Sequence, residues 1–546
     1  MVKIAKMLFA LVMGVSSVPG VSASIGNPAI LPTPPMGFNN WARFMCNLNE
    51  TLFTTTADAM KANGLLAAGY NRLNLDDCWM QYSRAANGSL QTNTTLFPHG
   101  LPWLADYVKS RGFKFGVYQD SGNLTCGGYP GSKGYEETDA RDFEKMGFDY
   151  LKLDGCNVAE EQGRNLEQEY KYLYGKWHDV LTNSSSPMIF SQSAPAYFSG
   201  GPDFSNQTNN SDWYRVMDWV PKYGELARHS QDVAVYGLYN VSQYWESIMT
   251  NYGYEVLLAR YQEPGFYNDP DFIISDWPWL TLDEKKSHFA LWASFSAPLI
   301  ISAYIPDLTS KELAYLTNKD IIAIDQDPLA LQATLVSQDG TWDVLTKNLA
   351  NGDRLLTVLN RGNHSAVTNV DLRRVGLRQG DTYQAKDLWT GNTKSIKNSI
   401  NIKLPSHATA IYRVAEPSWI IPTGMIFNTA SKRCLTAGPA SGKTSLTFTN
   451  CKATDNQVWS ISPEGQISPL SAPKTCIMAD SGGVLLSSCD VDEETQEWIY
   501  YRTGNLKSTS TEQCFMDLAP MAGMGTCGDE MDMQVFGLPS GVAIVR

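Results

Sequence analysis

The chain lacks the signatures that would tie it to a metal, a nucleotide or a redox cofactor. Its six histidines are scattered. It has no His-Glu-x-x-His, no Cys-x-x-Cys, no P-loop and no dinucleotide-type Gly-x-Gly-x-x-Gly after a strand, so no cofactor and no metal is expected. After the first residues no apolar run is long enough to span a membrane. Positive charge is scarce too. With 43 Lys and Arg against 56 Asp and Glu the net charge is −13, which argues against nucleic acid or an anionic membrane as partner.

Other features are abundant. Lys3 and Lys6 precede an apolar run from Met7 to Val15, and the small residues Val21 and Ala23 suit cleavage near residue 24. This is an export-signal pattern over residues 1–24. Ten cysteines, an even number, suit an oxidising compartment. Asn-x-Ser/Thr sites occur at Asn49, Asn87, Asn93, Asn123, Asn183, Asn206, Asn209, Asn240 and Asn363. A secreted, extracellular glycoprotein is expected. Its 546 residues are too many for one core, so two or three domains are expected.

The most informative stretch is FDYLKLDGC, residues 148–156. It reads as a strand with Tyr150, Lys152 and Asp154 on one face and Leu151 and Leu153 on the other. Asp154 stands at the strand end beside Gly155, where a side chain can face a cleft. Lys152 next to it would favour the ionised carboxylate, as suits a nucleophile or an electrostatic stabiliser; an ion pair under a loop is the structural alternative. NRLNLDDCW (71–79) repeats the design with Asn74, Asp76 and Asp77, and FKFGVYQDSG (113–122) ends in Tyr118-Gln119-Asp120. Helix-like stretches at 55–69 and 137–147 alternate with such strands. About eight βα units over roughly 300 residues fit a (β/α)8 barrel, with its site at the carboxyl ends of the strands. His229 is the one histidine near a candidate site.

Residues 330–415 alternate as a small antiparallel β domain and carry no catalytic signal. The tail, 416–546, is a threefold repeat. Cysteines fall at 434 and 451, 476 and 489, 514 and 527, and each pair is followed by Gln-x-aromatic: Gln457-Val458-Trp459, Gln496-Glu497-Trp498 and Gln534-Val535-Phe536. A period near 40 with one disulfide-sized loop per unit marks a repeat fold. It resembles the ricin-type β-trefoil, a carbohydrate-binding module. That family's sugar pockets use an Asp after the first cysteine and a polar residue ahead of the Gln. Here the first lobe has no such Asp but keeps Asp455-Asn456; the others have Asp480 and Asp517. A trefoil with working pockets and one without them are both open.

PPMGFNNWARFMCN (34–47), NLDDCW (74–79), GVYQDSGNLTCGGYPGS (116–132), YLKLDGC (150–156), YNDPDF (267–272) and IDQDPL (324–329) closely resemble the α-galactosidases and α-N-acetylgalactosaminidases of one glycoside hydrolase family. The resemblance implies a retaining barrel enzyme at 25–329 followed by an antiparallel β-sandwich domain. It implies Asp154 as nucleophile, Lys152 on the ring hydroxyls and Asp76 and Asp77 on the 4- and 6-hydroxyls. Trp41 forms one wall, and Tyr118 lines the pocket. Cys126 pairs with Cys156, and Cys46 with Cys78. The acid/base lies four residues after an arginine, which fits Asp232 after Arg228; Asp212 and Asp218 are the fallbacks. Asp269 and Asp271 brace the barrel.

By the same resemblance, the loop SQSAPAY (191–197) is expected to bear on the sugar preference. Ser193 and Ala196, ahead of Tyr197, match the roomier pattern of the N-acetylgalactosaminidases and leave space for a 2-acetamido group. The expectation is a retaining α-galactosidase acting on terminal α-galactose, with α-N-acetylgalactosaminidase as the alternative. A catalytically dead sugar-binding protein is the competing class.

Overall fold

A computed structural model describes residues 26–161, 163–200, 211–238, 243–415, 417, 420–438, 444–480, 483–529 and 531–545. The export-signal reading of 1–24 and the sequons at Asn206, Asn209 and Asn240 lie outside the described residues.

Eight short parallel strands come first: β1 (Met36–Asn39), β2 (Arg72–Leu75), β3 (Lys114–Asp120), β4 (Tyr150–Asp154), β5 (Ile189–Gln192), β6 (Leu226–Arg228), β7 (Tyr267–Asp269) and β8 (Leu299–Ile301). They pair in the order β7-β6-β5-β4-β3-β2-β1-β8. A parallel bridge between Ile273 and Ile301, just past β7, closes the ring. The alternation expected of a (β/α)8 barrel is therefore realised. The helix expected over 55–69 is two pieces, Glu50–Ala62 and Leu65–Ala68, parted at Gly64, whose φ of 91° ends a right-handed helix.

Register carries the acids to one end. Tyr118 pairs with Lys152 and Asp120 with Asp154 across β3 and β4, and Lys152 pairs with Ser191 across β4 and β5. Gly155 lets the chain turn at once after Asp154. A Cβ there would meet the Tyr170 ring at 2.5 Å, and the Tyr170 hydroxyl donates to the Gly155 carbonyl.

Antiparallel strands between Thr334 and Val414 form the second sheet, with 366–371 at one edge and 334–338 at the other. The tail then folds as three disulfide-closed lobes, with Cys434–Cys451, Cys476–Cys489 and Cys514–Cys527 bonded. Each lobe's glutamine plugs its own loop. Gln457 donates to the Asn450 carbonyl and accepts from Lys452 N. Gln496 does the same with Ser488 and Asp490, and Gln534 with Thr526 and Gly528. The aromatics that follow, Trp459, Trp498 and Phe536, are all buried in one trefoil core. The repeated motif is thus a folding device, since it satisfies backbone groups that each loop would otherwise bury unpaired.

The tail is packed tightly onto the rest. Met425, Phe427, Cys434 and Val535 belong to the same hydrophobic core as the barrel. Tyr214, on the helix Ser211–Trp219, donates to Thr429 at 2.8 Å, and Arg260 donates to the Arg502 carbonyl at 2.9 Å. Arg374 and Arg373 of the β domain both grip Asp455. Among the described residues no helix is long and apolar enough to cross a membrane.

Candidate active site

A cavity of about 260 Å³ opens at the carboxyl ends of the barrel strands. Trp41, Asp76, Tyr118, Lys152, Asp154, Ser193, Ala196, Tyr197, Arg228 and Asp232 all line it. Residues from the ends of six of the eight strands, far apart in sequence, meet in one place.

Lys152 does not bond its strand neighbour Asp154. Its Nζ meets Asp76 Oδ2 at 2.7 Å. Asn39 Nδ2 donates to the same oxygen at 2.8 Å, while the Asn40 side chain accepts from Asp76 N. Tyr118 and Phe272 place their rings beside the ammonium, at 5.2 and 5.4 Å. Desolvation opposes charge on Lys152, but Asp76, Asp154 and Asp232 outweigh it and raise its pKa.

Asp77 goes elsewhere. Its Oδ2 accepts from Gly127 N at 2.7 Å and its Oδ1 from Cys78 N at 2.6 Å. It is fully buried outside the cavity wall, and burial raises its pKa to about 6. Asp76 lines the cavity, and Asp77 staples the 125–128 turn beside it. A carboxylate flanked by unpaired amides satisfies them first.

Asp154 Oδ1 accepts from Gly155 N and from the Tyr197 hydroxyl. Burial raises the pKa of Asp154; Lys152 and Tyr197 only moderate it. Lys152 favours the ionised carboxylate, as its place on the strand suggested, while the ammonium itself bonds Asp76. Beneath, Asp120 receives Cys156 N at 2.8 Å and Gly122 N at 2.7 Å. The disulfides Cys126–Cys156 and Cys46–Cys78 join the loops around the mouth, as the resemblance implied.

Asp232 is half exposed and lines the same cavity. Arg228 Nη2 donates to its Oδ1 at 3.0 Å and Trp41 Nε1 to its Oδ2 at 3.2 Å. Desolvation opposes its charge, but Arg228 and Lys152 prevail and hold the carboxyl below its usual range. Arg228 also meets Asp271 at 3.0 Å, and Asp271 accepts from Val233 N. Asp271 N in turn donates to Asp269, so these two acids brace the arginine and the loop carrying Asp232. Asp212 pairs with Arg215 on the helix 211–219, and neither Asp212 nor Asp218 lines the cavity. His229 turns into the core against Glu255, 2.7 Å away, where burial lowers its pKa to about 3.

Sequence reasoning passed over Asn39 and Asn40. Their signal was present in GFNNW, polar residues at the end of a buried strand. Ser230 and Gln231 also line the cavity.

In the tail, Asp517 is held by Arg433 at 2.7 Å and by Ser431 at 2.7 Å. Asp455 is taken by the two β-domain arginines, and Asn456 donates to Ala437 O. These polar groups are engaged within the protein.

Comparison with known proteins places this geometry in a lineage. Residues 33–327 match the family described as alpha galactosidase A, 339–414 the alpha galactosidase C-terminal beta sandwich domain, and 422–521 the ricin-type beta-trefoil lectin domain. The chain is 59% identical over 529 residues to alpha-galactosidase A of Aspergillus niger, covering 96% of this chain and 95% of that one. The crystal structure of alpha-galactosidase I from Mortierella vinacea superposes with a TM-score of 0.63 at 25% identity, covering 72% of this chain and 100% of that one. The Saccharomyces cerevisiae alpha-galactosidase with raffinose gives 0.60 at 26%, covering 70% and 97%. A barrel, a β sandwich and a trefoil in this order, matched along nearly the whole chain, make the protein a member of the alpha galactosidase A family.

Proposed function

We propose that the chain is an exported retaining glycosidase that releases terminal α-D-galactose from oligosaccharides, polysaccharides or glycoconjugates. The observation that carries this reading is the pair Asp154 and Asp232, two carboxyls from the ends of different barrel strands that line one small cavity. Asp232 donates its proton to the glycosidic oxygen as the bond from C1 to that oxygen breaks. An Asp154 oxygen bonds C1 from the other side. Asp232, now a base, takes a proton from water, and the water oxygen displaces Asp154 with the anomeric configuration kept. Asp76 and Lys152 present an acceptor and a donor to the sugar's hydroxyls, held in place by Asn39, and Trp41 offers an apolar wall. Raffinose-type α-galactosides are the substrate class that the yeast relative's complex suggests.

Ser193 and Ala196 support a second reading. Both are small and both line the cavity, the pattern that would accommodate a 2-acetamido group. The two readings separate on two aryl substrates. Higher kcat/KM on the α-galactoside supports the first; higher kcat/KM on the α-N-acetylgalactosaminide replaces it with the second. Turnover unchanged in Asp154→Asn would remove Asp154 from the mechanism.

A further inference from the structure

A second cleft, of about 400 Å³, lies between the barrel and the β domain, away from the catalytic cavity. Trp245, Met249 and Trp279 of the barrel line one part of it, and Arg361, Asn363 and His407 of the β domain line the other. Its aromatics are pre-set. Trp279 stacks on Tyr244 at 5.3 Å with 6° between the planes and remains 41% exposed. Trp245 stacks on His407 at 4.9 Å and 15°.

Asn363 heads the sequon Asn363-His364-Ser365 and stands exposed in the wall of this cleft. His407 meets Glu284 at 2.7 Å through Nδ1 and Asn363 Oδ1 at 3.0 Å through Nε2. That contact holds the Asn363 side-chain amide against the wall of the cleft.

We propose that Asn363 carries an N-linked glycan whose first N-acetylglucosamine residues lie in this cleft, against Trp279 and Trp245. The C–H faces of such sugars pack on aromatic rings, while Arg361 and Glu246 serve their hydroxyl and amide groups. The tether decides the occupant. A sugar bonded to the wall meets the cleft at a millimolar effective concentration, which outcompetes dilute free sugars. The bound glycan bridges barrel and β domain. This inference rests on the export reading above.

The test uses the full chain secreted from a glycosylating eukaryotic host. Glycopeptide mass spectrometry reads occupancy, and a peptide N-glycosidase applied to the native protein reads accessibility. Asn363 is expected to be occupied and released about tenfold more slowly than Asn87, whose side chain sits in an exposed turn. Trp279→Ala is expected to abolish that difference. Ser365→Ala removes the sequon while leaving every cleft side chain in place; it is expected to lower Tm by a few degrees at unchanged kcat/KM. Occupied Asn87 with bare Asn363 overturns the inference alone, as does equal release at the two sites. A protein bare at every sequon overturns the export reading and the inference together.

Discussion

Lys152 reaches across the barrel mouth to Asp76, at 2.7 Å, and leaves Asp154, two residues along its own strand, to other partners. Asp76 is 1% exposed, so this ammonium is its main compensation in the interior. Lys152→Met should therefore strand a buried carboxylate and cost about 3–5 kcal/mol of stability. Urea unfolding checks this separately from the expected loss of turnover.

The two cavity acids should fail differently. Asp154→Asn should lower kcat at least roughly a thousandfold on every substrate. Asp232→Asn should cost roughly a hundred- to ten-thousandfold on natural galactosides. With an aryl leaving group that needs no proton, the first step should survive the loss of Asp232, and pre-steady-state kinetics should show a burst.

Tyr197 donates to Asp154 and moderates the upward push of burial. Tyr197→Phe removes that donor, so the Asp154 pKa rises further. A nucleophile must be ionised, so the acid limb of the kcat/KM profile should move to higher pH.

Stability should rise on mild acidification. Burial lifts Asp77 and Asp139 to about 6 and Glu225 and Asp271 to about 7. These groups bind protons in the folded chain before the unfolded one, so folding gains as pH falls from 7 toward their unfolded values. His229 and His288, both lowered to about 3, work the other way below their unfolded value of 6.5. The carboxyls outnumber them, so thermal unfolding should show a higher Tm at about pH 5 than at about pH 7.5, turning down below about pH 4.

Gln496→Ala should leave Asp490 N and the Ser488 carbonyl without their partner and cost about 1–3 kcal/mol. Activity on a small galactoside should be unchanged, because the lobe lies away from the cavity. Calorimetry alongside a rate assay checks both halves.

Much of the site could be read from local pattern. An acid at the end of an alternating apolar strand marks a barrel rim, and that rule alone located Asp76, Asp120 and Asp154. The trefoil showed itself through the spacing of its cysteines and glutamines. What escaped was pairing between distant segments. Nothing near Asp77 in the chain announces that Gly127 will occupy it, and nothing near Asp517 announces Arg433. A side chain's direction at a strand end depends on which unpaired amides arrive from other loops, and sequence spacing does not encode that. The Lys152–Asp76 bond belongs to the same class, since strand neighbours in sequence lost to neighbours across the barrel.

Tyr214 joins two of these observations. Its helix also carries Trp213, whose indole donates to the His229 carbonyl at 2.9 Å, one residue past Arg228. The tail therefore leans, through Thr429 and one short helix, on the strand that aims the cavity's arginine. The three parts are not interchangeable cassettes. A chain cut at residue 415 would bare the barrel residues that now pack on Phe427 and Val535, and would loosen β6 from behind. Grafting this tail onto another enzyme, or trimming it to make a smaller one, would change the catalyst as well as its accessory.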